Sequence, residues 1–262
     1  MQAVILAAGQ GTRLRPLTDH RPKCLVEVQG KPMLQYQLEA RSAAGVRECI
    51  MVVGHRAQQV RTYFGRSFRG VSITYVENEI YDRTNNIYSL WLARDRVTDD
   101  MLLLEGDLIY EPELIIDLLD LPGQDAAVVD TFQPFMNGTV IPARGQTAES
   151  MVLKRDQPLG FDYRNALKTV NMYRFSRQTV SKLMPALGKY VAEGLTDNYY
   201  EMVIAEAVTD GSIRLDVLRT GLRDWAEVDT PEDLADAENM RLWQRFIPSI
   251  GTATSAGPPP RR

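Results

Sequence analysis

Three short stretches of this chain carry residue types suited to phosphate chemistry. The first is Gly9-Gln10-Gly11-Thr12-Arg13-Leu14, followed by Arg15, Arg21 and Lys23. Glycines let backbone N–H groups come close to an anion, and successive N–H groups make a concave anion site. Arg13, Arg15, Arg21 and Lys23 place four positive charges within eleven residues. The same stretch also reads as a tight turn in a solvated basic loop. Two named phosphate motifs do not fit it. A Walker A loop needs Gly-Lys-Ser/Thr. A dinucleotide fingerprint needs a small residue where Leu14 stands and a helix directly after the loop. Here Arg15-Pro16 and Arg21-Pro22 keep the chain irregular, which suits wrapping a polyphosphate. Lys23, between Pro22 and the apolar Cys24-Leu25-Val26, is a compact charge for a phosphoryl oxygen or a partner for an acid on the sheet.

The other two stretches are acidic. Glu105-Gly106-Asp107 follows the apolar run Met101 to Leu104. A carboxylate there can hold Mg²⁺ near phosphates or simply end a strand. Glu227 and Asp229 flank Val228, and at strand spacing both point to one side and can share a cation. Asp229 also reads as an extra helix cap before Pro231. Two histidines, His20 and His55, cannot build a multi-histidine zinc site. Any metal must be held mostly by oxygen, and Asp107, Glu227 and Asp229 are the expected ligands.

Composition sets the frame. In 262 residues the hydrophobic fraction is 44% and the charged fraction 24%, with net charge −4. These values exclude a mainly disordered chain and argue against a general nucleic-acid binder. Two cysteines cannot form a disulfide framework. No segment has the ~20 apolar residues of a membrane span, and Met1 to Ala8 has no basic leader. The expectation is a cytoplasmic protein without nucleic-acid or membrane partners.

These residues need elements to position them. Ala3 to Ala7 reads as a buried parallel strand. A helix over Pro32–Ala44, a strand over Cys49–Val53, a helix over Ala57–Phe64 and a strand over Val71–Glu77 follow. Then come a helix over Asn85–Asp95, the strand Met101 to Leu104, a helix opened by Glu111-Pro112 and a strand over Ala126–Val129. This alternation predicts an α/β fold with a doubly wound sheet, whose ligands bind beyond the carboxyl ends of the strands. Later strands are expected over Met151–Lys154, Leu167–Phe175, Ile213–Val217 and Trp225–Val228, with helices over Arg177–Tyr190, Tyr199–Thr209 and Asp233–Phe246. The whole reads as one domain, 1–248, with a nucleotide-binding half (1–130) and an acceptor-binding half (131–248). Residues 249–262, rich in Gly, Ser and Pro, read as a disordered tail.

Leu6-Ala7-Ala8-Gly9-Gln10-Gly11-Thr12-Arg13-Leu14, then Pro22-Lys23, Gly106-Asp107 and Glu227-Val228-Asp229-Thr230, resemble the signature of nucleotidyltransferases that activate phosphorylated small molecules. The resemblance implies a Rossmann-like mixed, mostly parallel sheet flanked by helices, of the nucleotide-diphospho-sugar transferase type. It implies that Leu6, Ala7, Ala8, Gly9, Gly11, Thr12, Arg13 and Gly106 surround a nucleoside triphosphate. It further implies that Lys23 meets the phosphates around the reacting phosphorus and that Asp107 and Asp229 hold Mg²⁺. Arg13, Lys23 and Asp107 are then the expected catalytic residues. A narrower match, Tyr81-Asp82-Arg83-Thr84-Asn85-Asn86-Ile87-Tyr88-Ser89-Leu90, resembles cytidylyltransferases acting on phosphocholine and on phosphonates. Thr84, Asn85 and Ser89 are suited to reading a pyrimidine edge, and equally to capping a helix. Lys168-Thr169-Val170-Asn171-Met172-Tyr173 and Tyr199-Tyr200-Glu201 resemble segments of the same subgroup. They suggest Lys168, Tyr199 and Glu201 as acceptor-binding residues, with helix packing as the other reading of the last two.

The expected reaction is Mg²⁺-dependent transfer of CMP from CTP to a small phosphonate or phosphomonoester, with release of pyrophosphate. Phosphocholine would call for an aromatic cage from Tyr81, Trp91, Tyr199 and Tyr200 with Glu201. Phosphonoformate would call for Arg83, Arg144, Arg164 and Lys168. Arg supplies 24 of the 30 basic residues, a bias typical of GC-rich bacteria, where phosphonate antibiotic pathways occur. Phosphonoformate is therefore the sharpest expectation. Phosphocholine, a sugar 1-phosphate and a catalytically silent nucleotide-binding subunit are the alternatives. A homodimer is left open.

Overall fold

A continuous apolar strand, β1 (Gln2–Ala7), opens the fold. The computed structural model describes residues 1–240. The expected helix end at Phe246, the domain limit at 248 and the tail 249–262 lie outside the described residues. After β1, residues 8–32 form only short 3₁₀ turns and the two-residue strands β2 (Glu27–Val28) and β3 (Lys31–Pro32). Next come α1 (Met33–Ala43), β4 (Glu48–Val53), α2 (Ala57–Phe64), β5 (Ser67–Phe68), β6 (Val71–Glu77) and α3 (Asn86–Leu92). Then follow β7 (Met101–Glu105), β8 (Leu108–Tyr110), α4 (Glu113–Asp120) and β9 (Ala126–Thr131). The second half adds β10 (Val140–Arg144), β11 (Thr147–Ala148), β12 (Ala166–Phe175), α5 (Arg177–Ala192) and α6 (Glu201–Thr209). It closes with β13 (Asp216–Arg219), β14 (Trp225–Glu227) and α7 (Pro231–Glu238).

The strands β6, β4, β1 and β7 lie side by side and parallel. The chain starts in the middle, moves outward through β4 and β6, then returns to the other side of β1 at β7. That reversal leaves a crevice beyond the carboxyl ends of β1 and β7. Alternate residues of these strands bury opposite faces. Val4, Leu6, Ile50 and Val52 pack with Ile87 and Leu90 of α3 and with Leu183 and Leu187 of α5. Ile5, Ala7, Met51 and Val53 pack with Leu34 and Leu38 of α1 and with Val60 and Phe64 of α2. Ala3, Leu102 and Leu104 meet Leu114 and Leu118 of α4. The result is a helix–sheet–helix layering, as a strand apolar on both faces requires.

β12 runs antiparallel between β7 and β9 and ties the second half into the same ten-stranded sheet. The ladder breaks within it. Pairing with β9 runs to Thr169↔Val129 and resumes at Tyr173↔Ala127, while pairing with β7 begins at Met172↔Leu104. Val170 and Asn171 fall in the gap, a β-bulge. Asn171 has φ 58°, in the left-handed region, and its N–H is accepted by Thr169 Oγ1 at 3.1 Å.

Helix ends follow sequence cues. Thr230 and Asp233 form a reciprocal capping box at α7, with Pro231 in its first turn. Ser176 caps α5 through Thr179 N–H. Some expectations fail. Met151–Lys154 is not a strand: Val152 makes one isolated bridge to Val140 and residues 154–156 form a 3₁₀ turn. Met151 and Leu153 are buried, so the apolar pattern reports core packing and not pairing. The strand expected over Ile213–Val217 starts at Asp216, since Ile213 N–H caps α6 through Ala207 C=O. β10 was hidden by Pro142, tolerated because its register partner Ala166 lies near the start of β12.

Candidate active site

The crevice beyond β1 and β7 is a cavity of about 330 Å³. Its floor is the chain just after β1. Leu6, Ala7, Ala8, Gly9, Gly11, Thr12 and Arg13 all line it. Gly11 sits at φ 66°, and a Cβ there would stand 2.8 Å from Lys23 Cβ. Glycine is thus required both by the backbone and by the lysine stem packed on it. Gly9 has nothing within 4 Å of where a Cβ would stand, so its face is open to a ligand. Two further glycines wedge this loop in place. A Cβ on Gly106 would meet Leu6 O at 2.9 Å, and one on Gly54 would meet Ala8 O at 2.8 Å. The backbone ties agree: Gly106 N–H donates to Leu6 C=O at 2.8 Å and His55 N–H to Ala8 C=O at 3.0 Å.

Across the floor stands an ionic cluster. Lys23 Nζ donates to both Asp107 and Asp229. Arg13 reaches Asp229 at 2.8 Å. Burial alone would lower the Lys23 pKa, but the two carboxylates outweigh it and hold the ammonium above its usual value. Partial burial would raise the Asp229 pKa, yet Lys23 and Arg13 pull it below the ordinary range. Val228 N–H donates to Asp107 C=O at 3.0 Å, and β14 pairs with β8, so two distant segments are clamped together here.

The donor set suits a hard cation at this point. Two carboxylates converge on one position, now filled by an ammonium, and Asp107 Oδ1 is buried without a hydrogen-bond partner. Oxygen donors of this kind match Mg²⁺. Glu227 stands apart. Its carboxylate turns to Lys168 Nζ at 3.5 Å, and among the described residues no group of three His, Cys, Asp or Glu can hold an ion together. Of the three expected acids the structure brings Asp107 and Asp229 together on Lys23, and it turns the Glu227 carboxylate toward Lys168.

The wall above β7 is polar and neutral. Asn78, at the end of β6, donates to Thr84 Oγ1 at 3.0 Å and Ser89 Oγ at 3.1 Å. Thr84, Asn85 and Ser89 line the cavity as expected, and Asn85 is the N-cap of α3. Behind them lie two acids, the partly buried Glu105 and the buried Glu201. Asn86 Nδ2 donates to Glu105 at 3.1 Å and Glu201 at 3.4 Å. Burial, helped by the Asp107 and Glu201 carboxylates, raises the Glu105 pKa well above the usual range. Burial raises Glu201 to about 7. Tyr199 and Glu201 also line the cavity.

Lys168 does not. Its ammonium donates to Thr169 C=O at 2.7 Å and sits behind Glu227, because burial in β12 leaves it no route into the open space. Arg83, Arg144 and Arg164 are exposed and paired with their neighbours Asp82, Glu149 and Asp162. Residues that sequence reasoning passed over as site residues are Gly54, Asn78, Asn86, Glu105 and Asn171. The rule that ligands gather after each parallel strand points to Gly54 after β4, Asn78 after β6 and Glu105 at the end of β7.

No helix of the described residues is long and apolar enough to cross a membrane. Comparison with known proteins places this geometry. The chain is 34% identical over 258 residues, 95% of its length, to the CMP-5'-(3-aminopropyl)phosphonate synthase of Streptomyces rubellomurinus. It is 39% identical over 111 residues, 42% of its length, to the choline-phosphate cytidylyltransferase of Streptococcus pneumoniae. The matches span 41% and 47% of those two proteins. Among solved structures, the CTP:phosphocholine cytidylyltransferase of Streptococcus pneumoniae superposes with a TM-score of 0.75 at 23% identity, over 90% of this chain and 97% of that one. A putative glucose-1-phosphate thymidylyltransferase of Bacillus anthracis gives a TM-score of 0.73 at 18% identity, over 91% of this chain and 94% of that one. Both share the Rossmann-like fold. The family model for nucleotidyl transferases matches residues 2–239, and the chain accordingly belongs to the nucleotidyl transferase family.

Proposed function

We propose that this protein transfers CMP from CTP to a small phosphonate or phosphomonoester. The observation that carries the reading is the meeting of Lys23, Arg13, Asp107 and Asp229 over the glycine floor. An acceptor oxygen attacks the α-phosphorus, a new P–O bond forms, and the bond to the β-phosphate oxygen breaks as pyrophosphate leaves. Both reactants are anions, so the work is to hold them in line and to neutralise charge. The open N–H groups near Gly9 receive phosphate oxygens, Arg13 faces the departing pyrophosphate, and Lys23 faces the reacting phosphoryl group. Asp107 and Asp229 would hold Mg²⁺. Such an ion would supply charge neutralisation for the phosphates, while Lys23 supplies a fixed ammonium beside them. The acceptor oxygen is ionised at pH 7, so the chain needs no general base. The neutral polar wall of Asn78, Thr84, Asn85 and Ser89 supports a pyrimidine, which offers both donors and acceptors. The named relatives supply the CMP and phosphonate classes.

The test is pyrophosphate release on mixing the protein with CTP, Mg²⁺ and a panel of phosphonates, phosphocholine and sugar 1-phosphates. Turnover is expected with CTP over UTP and dTTP. Lys23→Ala is expected to lose at least about 100-fold in kcat while keeping the wild-type circular dichroism spectrum. Near-normal turnover in that variant, or none in the wild type with any acceptor, would overturn the reading.

A further inference from the structure

The Asp107 carboxylate hydrogen-bonds to one side chain among the described residues. Lys23 Nζ donates to its Oδ2, and its Oδ1 is buried without a partner. Its place is therefore set by the backbone turn Glu105-Gly106-Asp107-Leu108, which joins β7 to β8. That turn is held from three sides. Gly106 N–H donates to Leu6 C=O of β1 at 2.8 Å, and Asp107 C=O accepts Val228 N–H at 3.0 Å. The third tie comes from α1. Gln37 Nε2 donates to Glu105 C=O at 2.9 Å and to Leu108 C=O at 2.9 Å. These two carbonyls bracket Gly106 and Asp107, so one side-chain amide closes the turn.

Gln37 is fully buried, where an amide is kept when its polar atoms are used. Only N–H groups can meet two carbonyls, which places Oε1 on the other side. There Arg41 Nη2, one helical turn on, faces Oε1 at 3.5 Å. The Arg41 guanidinium is itself buried, with Nε and Nη1 lacking partners. The amide is thus held by its oxygen and aimed by its nitrogen. The same helix also reaches the other half of the ion pair. Met33 N–H donates to Val26 C=O at 3.1 Å, and Val26 N–H to Lys23 C=O at 2.9 Å. So α1 ties together the turn that carries Lys23 and the turn that carries Asp107.

We propose that Gln37 is a positioning residue: it holds the 105–108 turn so that the Asp107 carboxylate converges with Asp229 on one cation position. The inference rests on the reading of Asp107 and Asp229 as the Mg²⁺ pair of cytidylyl transfer. Gln37 does not line the cavity and acts only through the backbone of the turn. Without its N–H groups the carbonyls of Glu105 and Leu108 lose their shared donor, and the carboxylate between them shifts. A misplacement of about 1 Å can cost about 100-fold in an oriented site, and partners behind a metal ligand typically carry about 10–100-fold in affinity.

The experiment titrates Mn²⁺ into the protein without nucleotide and reads the free ion by electron paramagnetic resonance. Asp107→Asn is expected to lose the site, which identifies it. Gln37→Met, similar in size but without N–H groups, is expected to raise the Mn²⁺ Kd at least about fivefold. In the turnover assay it is expected to raise the Mg²⁺ concentration for half-maximal activity by a similar factor and to leave KM for the acceptor within about twofold. Val60→Ala, a core truncation in α2, is the stability control. It is expected to lower the urea midpoint and keep the wild-type Mn²⁺ Kd, because lost stability alone does not move the acids of the folded molecules. Gln37→Glu keeps the shape and an oxygen for Arg41 but has no N–H when ionised, and it decides the matter should Gln37→Met not fold. Its added negative charge alone would favour a cation, so the same weakening there reports a displaced turn. Mn²⁺ binding that survives Asp107→Asn, or a smaller rise in Kd than expected in the Gln37 variants, would overturn the positioning role. Absence of turnover with every acceptor would overturn cytidylyl transfer, while the Mn²⁺ titration, which needs neither nucleotide nor acceptor, still decides the role of Gln37.

Discussion

Glu201 shows how one side chain ties stability to pH. Burial raises its pKa from the ordinary 4.5 to about 7. Between those values the folded protein keeps a proton that the unfolded chain releases. Folded stability therefore falls as pH rises from 4.5 through 7, and the deficit persists above it. Glu201→Gln removes the titration while keeping an oxygen for Asn86. In urea titrations of the free protein, the variant should gain about 1–3 kcal/mol over wild type at pH 8.5, and the gap should close near pH 5. A gap of the same size at both pH values would show that the carboxylate is not the cause. The residue scale is also where sequence reading went furthest. Lys23, Arg13, Asp107 and Asp229 were legible because each sits in a short motif whose neighbours fix its direction. Asn86 and Asn171 were not legible as site residues. An asparagine in a helix start or a strand looks like any cap or edge residue until its partners, 114 residues away in the case of Asn86 and Tyr200, are brought to it.

At the scale of elements, glycine placement decides where the phosphate floor lies. Gly54 and Gly106 follow β4 and β7, the two neighbours of β1, and each presses on the chain leaving β1. Gly54→Ala would drive a methyl to 2.8 Å from Ala8 O and Tyr81 Cβ. It should destabilise the protein by about 1–3 kcal/mol and raise KM for CTP. Gly9→Ala differs, because its Cβ has open space. Its thermal midpoint should stay near wild type while KM for CTP rises through blocked approach of the triphosphate. Equal thermal losses in both variants would contradict this division. The strands β1, β4, β7 and β9 were legible because continuous apolar runs have few alternatives, and β6 because its apolar residues alternate. The elements missed in the second half are short, and β10 carries a proline. Met151, Leu153, Ile213 and Leu215 are apolar for packing, and apolar pattern alone does not separate a packed segment from a paired one.

For the whole molecule, the informative strand is β12. It is fully buried along its length and pairs with β7 of the first half and with β9 and β10 of the second. Separating the two halves would expose that strand and break both ladders. Denaturant unfolding is therefore expected as one transition, with tryptophan fluorescence and far-ultraviolet circular dichroism coinciding. Trp91 and Trp225 sit on opposite sides of β12 in sequence, so the fluorescence reports both halves. Two separated transitions would show two domains. Length alone allows one or two domains and the family resemblance points to one, but the reason for expecting cooperativity, a shared central strand, emerges only from the pairing.

The bulge in β12 has a consequence for how such a site can change. Val170 and Asn171 are released from ladder pairing on both flanks, while Thr169 and Tyr173 close the gap with a hydroxyl–hydroxyl bond of 2.9 Å. A residue exchanged at 171 alters what the cavity sees without removing a rung from the sheet. The fold thus keeps this cavity-lining position mechanically separate from its framework, although its left-handed backbone favours asparagine or glycine there.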